Sequence, residues 1–127
     1  MIQAGGMQND PHTADTYEVI MKPIPITNDM NKTEAAFATL LEFCRGANEI
    51  IAWEFEPIKL RLAKKTFYTP DFLVVESERF IFYEVKGFWR DDARVKIKVA
   101  AETYPYFKFI AVQLKRKEWV YEEIKHG

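Results

Sequence analysis

The sequence predicts an α/β domain: a mixed β-sheet flanked by helices. Three observations predict it. An amphipathic helical pattern precedes several short apolar runs; two of those runs, 72–75 and 80–83, read as a hairpin; and a second helical pattern after Gly87 leads into a further apolar run. The order helix, strands, hairpin, helix, strand makes a mixed sheet.

The first helix is expected from about Asn31 to Arg45. Asn28, Asp29 or Asn31 can cap its start, and Gly46 is a stop signal. Phe37, Leu40, Leu41 and Cys44 recur at helical spacing and define its buried face. Glu34, three residues before Phe37, sits at the N-terminal edge of that face. It reads either as a first-turn acid favoured by the helix dipole or as a carboxylate with a cation to meet.

Strand patterns follow at Ile50–Phe55 and at Ile58–Leu62, which alternates cleanly, and Lys64-Lys65 marks a turn. The aromatic and β-branched runs Phe72–Val75 and Phe80–Tyr83 flank the polar stretch Glu76-Ser77-Glu78-Arg79. A two-residue loop at Ser77-Glu78 and a four-residue loop over 76–79 give the same register, which sets Asp71 opposite Glu84. A second helix is expected over Asp91–Tyr104, with Asp91 or Asp92 near its cap and Pro105 beyond its end. Phe107–Gln113 then reads as a buried strand and Trp119–Tyr121 as a short further one.

Composition sets the frame. The 127 residues suffice for one domain with a real core, 48% being hydrophobic and 15% aromatic. We divide the chain into an N-terminal extension or arm, residues 1–30, and a domain over 31–127. Within the arm, Gly5-Gly6 and Asn9-Asp10-Pro11 read as loop, and Pro23 and Pro25 rule out a central strand over Tyr17–Ile26. No apolar run approaches the length that spans a bilayer, and no signal-peptide pattern opens the chain. Cys44 is the single cysteine, which excludes an intrachain disulfide and fits a reducing, intracellular setting. His12 and His126 lie near the two termini in polar surroundings and read as solvated residues rather than ligands. The net charge of −1 divides into an acidic arm and a weakly basic domain, so phosphate binding requires a local basic patch.

The predicted hairpin carries the chemistry. Directly opposed residues on one face of an antiparallel pair have Cβ atoms roughly 4.5–5.5 Å apart. The period of two puts Lys86 on the face of Glu84 and turns Val85 away. Two carboxylates and an ammonium thus converge on one patch. Ordinary strand-end charges are one reading, at the cost of opposing like charges; a divalent cation removes that repulsion, and Mg²⁺ takes one or two carboxylates with waters and phosphate completing its shell.

These residues also carry a likeness. Tyr68-Thr69-Pro70-Asp71-Phe72-Leu73, Glu84-Val85-Lys86-Gly87-Phe88-Trp89, Asp91-Asp92 with Arg94, and Tyr104-Pro105 resemble the PD-(D/E)XK nuclease superfamily, within it most closely the phage endonuclease I type of Holliday-junction resolvase. The likeness runs from about Glu34 to Gln113; residues 1–30 do not match the family's N-terminal region. The transposon end-cleaving nuclease subunits share a similar core.

The resemblance implies a restriction-endonuclease-like core and a phage or prophage enzyme that hydrolyses DNA phosphodiesters, structure-selectively at Holliday junctions or other branched DNA, with Mg²⁺ as cofactor and Mn²⁺ able to substitute. It implies Asp71, Glu84 and Glu34 as metal-binding carboxylates, the Val85 carbonyl as the main-chain metal contact, and Lys86 as the motif lysine, completing a catalytic set of Asp71, Glu84, Lys86 and Glu34. A homodimer in the cytoplasm, the host's if phage-encoded, follows from the same likeness. Arg94, Lys98 and Arg90 are candidate DNA-binding residues through flanking phosphates, each also readable as part of a solvated helix face. Trp89 and Phe88 read as packing residues before base-stacking wedges, and Glu54 and Glu56 as surface acids or supports outside the cluster. The alternative from another class is a catalytically inactive nuclease-like module that binds DNA or a partner, against which stands the intact set of acids and lysine.

Overall fold

The computed structural model describes residues 29–125. The N-terminal extension, but for Asp29 and Met30, and His12 and His126 lie outside the described residues.

Helix α1 covers Lys32–Gly46 and starts in a capping box. The Asn31 side chain accepts from the Glu34 N–H at 2.8 Å, and Glu34 Oε1 accepts from the Asn31 N–H at 3.0 Å. Phe37, Ala38 and Leu41 are buried, while Leu40 and Cys44 are half-buried, so the inward face is narrower than the spacing predicts.

Five strands form one sheet in the order β1-β4-β5-β6-β7. They are β1 (Ala52–Phe55), β4 (Phe72–Glu76), β5 (Arg79–Lys86), β6 (Lys108–Lys115) and β7 (Glu118–Ile124). Only the β5–β6 pair is parallel; the other neighbours are antiparallel. The parallel step is made by helix α2 (Asp91–Thr103), as a crossover connection requires. The described residues therefore form an α/β fold with a mixed sheet and two helices. Strands β2 (Leu60–Ala63) and β3 (Thr66–Tyr68) pair separately as a small hairpin turned at Lys64-Lys65.

The β4–β5 hairpin has the expected register, with Phe72 opposite Tyr83 and a two-residue turn at Ser77-Glu78. β7 is longer than predicted. It is joined to β6 by Arg116-Lys117, both at positive φ (51° and 67°), the signs of a type I′ hairpin turn that usually advertises itself with Asn-Gly.

Two cores lie on the two faces of the sheet. On one, α1 packs Phe37, Ala38 and Leu41 against Trp53, Phe72, Val74, Ile81, Val85 and Val112. Phe37 is its centre, with ring centroids of Phe72, Tyr83 and Trp119 at 5.2–5.5 Å. On the other, Ile97, Ala100 and Ala101 of α2 and Leu60 and Tyr68 of the small hairpin cover Phe82, Phe109 and Ala111. The Tyr104 hydroxyl donates to the Arg61 carbonyl at 2.6 Å and ties the hairpin to the end of α2. No helix among the described residues is long and apolar enough to cross a membrane.

Candidate active site

Strand directions decide what meets at one end of the sheet. β5 ends at Lys86 where β4 begins, and β1, antiparallel to β4, ends there too. The first turn of α1 lies over the same end, where Thr33 approaches Gly87. Glu34, Glu56, Asp71, Glu84 and Lys86 are therefore delivered by four separate elements or their flanks.

Among the described residues, the buried polar or charged side chains are Glu34 (8% exposed), Asp71 (5%) and Glu84 (7%). All three are acids of the predicted set, and an uncompensated buried carboxylate is costly. Their hydrogen bonds show how each is held. Asp71 Oδ2 accepts from the Val85 N–H at 2.8 Å. Glu84 Oε1 accepts from the Tyr68 hydroxyl at 2.7 Å and from the Asp71 N–H at 3.3 Å. Lys86 Nζ lies 3.2 Å from Glu84 Oε2. Val85, between Glu84 and Lys86, turns its side chain into the α1 core, as the strand period demands.

The electrostatics follow from burial. Desolvation first, and then the charge of Glu84, push the Asp71 carboxyl well above the usual carboxylate range, to about 8, against the Val85 N–H and Lys86. Burial works against the Lys86 ammonium too, but Glu84 and Asp71 outweigh it and hold its pKa above the usual lysine value. Burial and the neighbouring Glu84 charge raise the Tyr68 phenol far out of the accessible range, so its hydroxyl remains a donor.

Asp71, Glu84 and Lys86 thus stand together. Glu34 lies within electrostatic reach, adding to the upward shift on Asp71. Its capping-box bond accounts for one carboxylate oxygen, so helix initiation explains part of its inward placement. Of the three candidate DNA contacts, Arg94 is engaged elsewhere: its guanidinium pairs with Glu122 of β7 at 2.8 Å and lies 5.4 Å from the centroid of the Trp89 ring. Arg90 is the exposed N-cap residue of α2, and Lys98 is exposed one turn beyond Arg94. The expected packing role holds for Trp89, half-buried against the α2 core, but not for Phe88, which is 75% exposed.

Two residues of the site escaped the sequence reading. Tyr68 is the buried donor to Glu84, although it reads there only as part of a motif. Glu56, taken for a surface or supporting acid, is exposed but flanks the cluster. Its N–H donates to the Asp71 carbonyl at 2.8 Å, its φ is 48°, and burial followed by the charges of Glu34, Asp29 and Glu84 raises its pKa. The signal lies in the register: Phe55 pairs with Phe72, so Glu56 comes next to Asp71.

The donor chemistry fits a hard divalent cation. Mg²⁺ prefers oxygen ligands and is content with one or two carboxylates, and Asp71 Oδ1 and Glu84 Oε2 are the oxygens without a backbone or hydroxyl donor. Among the described residues, no group of three or more His, Cys, Asp and Glu side chains is arranged to hold a metal ion. A cation held by Asp71 and Glu84 would need the Val85 carbonyl and water to complete its shell. The chain matches no protein-family model, no curated protein and no solved structure. Geometry and chemistry carry the functional reading.

Proposed function

We propose that the chain is a Mg²⁺-dependent DNA endonuclease with a restriction-endonuclease-like core, hydrolysing phosphodiester bonds selectively in branched DNA such as Holliday junctions. One observation carries the reading: Asp71 and Glu84 are buried side by side with the Lys86 ammonium 3.2 Å from Glu84. A structural ion pair needs one acid for one lysine. Two ionised acids beside one lysine leave an excess of negative charge; burial and that excess push Asp71 toward protonation, and a bound cation would favour the ionised form instead.

Asp71 and Glu84, with the Val85 carbonyl, are the residues to hold that cation, and Glu34 supplies a further carboxylate at the α1 end. A bound divalent ion supplies a water acidic enough to attack near neutral pH and positive charge beside the phosphate. Lys86, anchored by Glu84, orients the attacking water and offsets the negative charge that builds on the phosphoryl oxygens. Arg90 and Lys98 contact flanking phosphates, and Arg94 joins them if it leaves Glu122. Selectivity for branched DNA rests on the motif likeness. A homodimer follows because symmetric cutting of two strands needs two copies of one site.

The test is cleavage of supercoiled plasmid, four-way junctions and flaps with Mg²⁺ or Mn²⁺, using Asp71→Asn and Lys86→Ala as controls. The reading predicts metal-dependent cleavage by the parent alone, fastest on the junction. Absence of cleavage on every substrate overturns the nuclease, and an Asp71→Asn variant as fast as the parent overturns the site.

A further inference from the structure

Each carboxylate of the site has one oxygen held by a backbone or hydroxyl donor; of the other two oxygens, Glu84 Oε2 pairs with Lys86 Nζ at 3.2 Å. For Asp71 the holding donor is a backbone N–H, which any residue at 85 other than proline supplies. For Glu84 it is chiefly a side chain: Tyr68 Oη donates at 2.7 Å to Oε1, with the Asp71 N–H as a longer second donor at 3.3 Å. Tyr68 is itself buried at 5% exposure, its ring packed in the α2-side core with Leu60 and Ile97, so the hydroxyl has one direction in which to point. Glu84 therefore has Oε2, paired with Lys86 Nζ at 3.2 Å, as the one oxygen not committed to a buried hydroxyl or backbone donor.

That restriction bears on which cation the site accepts. Mg²⁺ demands near-octahedral geometry at short distance and keeps its waters, so one oxygen per carboxylate suits it. Ca²⁺ takes 6–8 oxygens and commonly recruits both oxygens of a carboxylate. A glutamate whose second oxygen is already committed to a buried hydroxyl is a poor bidentate ligand. We propose that Tyr68 is a positioning residue that makes Glu84 a one-oxygen ligand and thereby biases the site toward Mg²⁺ and against Ca²⁺. The inference rests on reading Asp71 and Glu84 as a cation site and adds what sets that site's selectivity.

The experiment is calorimetric titration of Mg²⁺ and of Ca²⁺ into the parent chain, Tyr68→Phe and Asp71→Asn, in the absence of DNA. Phenylalanine keeps the ring in its packed place and removes the hydroxyl alone. The proposal predicts that Tyr68→Phe shifts the ratio of Ca²⁺ to Mg²⁺ affinity toward Ca²⁺ by about tenfold, the lower end of what loss of a hydrogen bond to a metal ligand causes. A ratio unchanged within about threefold of the parent, well below that end, with Asp71→Asn binding neither cation, overturns the role of Tyr68 and leaves the cation site standing. A parent that binds neither cation, or an Asp71→Asn variant that binds both as well as the parent, overturns the site and the role of Tyr68 together.

A second readout needs no intact Tyr68→Phe fold. Infrared difference spectra of the parent, Ca²⁺-loaded minus metal-free, separate one-oxygen from two-oxygen carboxylate ligation by the spacing of the antisymmetric and symmetric stretches. The wide spacing of one-oxygen ligation is expected for Glu84, identified by loss of the band in Glu84→Gln. The narrow spacing of two-oxygen ligation in the parent contradicts the proposal.

Discussion

Strand β5 shows opposite chemistry on its two sides. Toward α1 it presents Ile81, Tyr83 and Val85, which join Phe37, Phe72 and Val112 in an apolar core. Toward α2 and the small hairpin it begins the same way, with Phe82, and then presents Glu84 and Lys86. The first side is explained by packing alone. The second buries two carboxylates where two apolar side chains of similar volume are often neutral or better for stability. The change of character falls where the strand runs out and four elements converge. A fold that needed only a core has no use for it.

The largest effects should separate the two sides completely. Lys86→Ala and Asp71→Asn are expected to lower Mg²⁺-dependent cleavage by about 10²–10⁴-fold, the range for a group that handles the proton or holds the reacting water, while circular-dichroism melts show the fold retained. Phe37→Ala should do the reverse. It is expected to cost about 3–5 kcal/mol in urea unfolding, with activity per folded molecule little changed. Loss of cleavage in Phe37→Ala under fully folded conditions breaks the comparison.

The next effect is on pH dependence. Asp71 titrates near about 8 in the folded chain and at about 3.9 when unfolded. Between those values the folded state binds more protons than the unfolded one, so this group makes stability fall as pH rises from about 4 toward 8. Unfolding in EDTA across that range should show the decline in the parent, and Asp71→Asn should flatten it. An equal slope in both chains removes Asp71 as the cause.

The smallest effect belongs to the exposed pair of Arg94 and Glu122, with side chains 46% and 54% accessible. A double-mutant cycle is expected to give no more than about 1 kcal/mol. A larger coupling makes this pair structural and takes Arg94 out of the candidate DNA contacts.

What could be read from the sequence was local. The cap at Asn31, one of three candidates, the turn at Ser77-Glu78, one of two loop lengths with the same register, and the alternation through Glu84-Val85-Lys86 are each set by residues a few positions apart. The placement of Asp71 beside Glu84 followed from them. What could not be read depends on long-range pairing. Glu56 neighbours Asp71 only because β1 pairs with β4 across the inserted hairpin, and no residue near Glu56 announces that partner. Tyr68 reaches Glu84 because that same hairpin folds onto the α2 side of the sheet. The extent of β7 was hidden by a turn built from Arg116-Lys117 without glycine. Arg94 read as a phosphate contact because Glu122, 28 residues away, is brought beside it only by the β6–β7 pairing.

The central claim is that the carboxylate pair is strained without a cation and present for the sake of one. Thermal unfolding of the parent and of Asp71→Asn at pH 8, each in EDTA and in excess Mg²⁺, tests it most directly. The account predicts that Asp71→Asn melts above the parent in EDTA. Mg²⁺ at ten times its dissociation constant should then raise the parent by about 1.4 kcal/mol of stability and leave the variant unmoved. A parent that melts above Asp71→Asn in EDTA and does not respond to Mg²⁺ contradicts it.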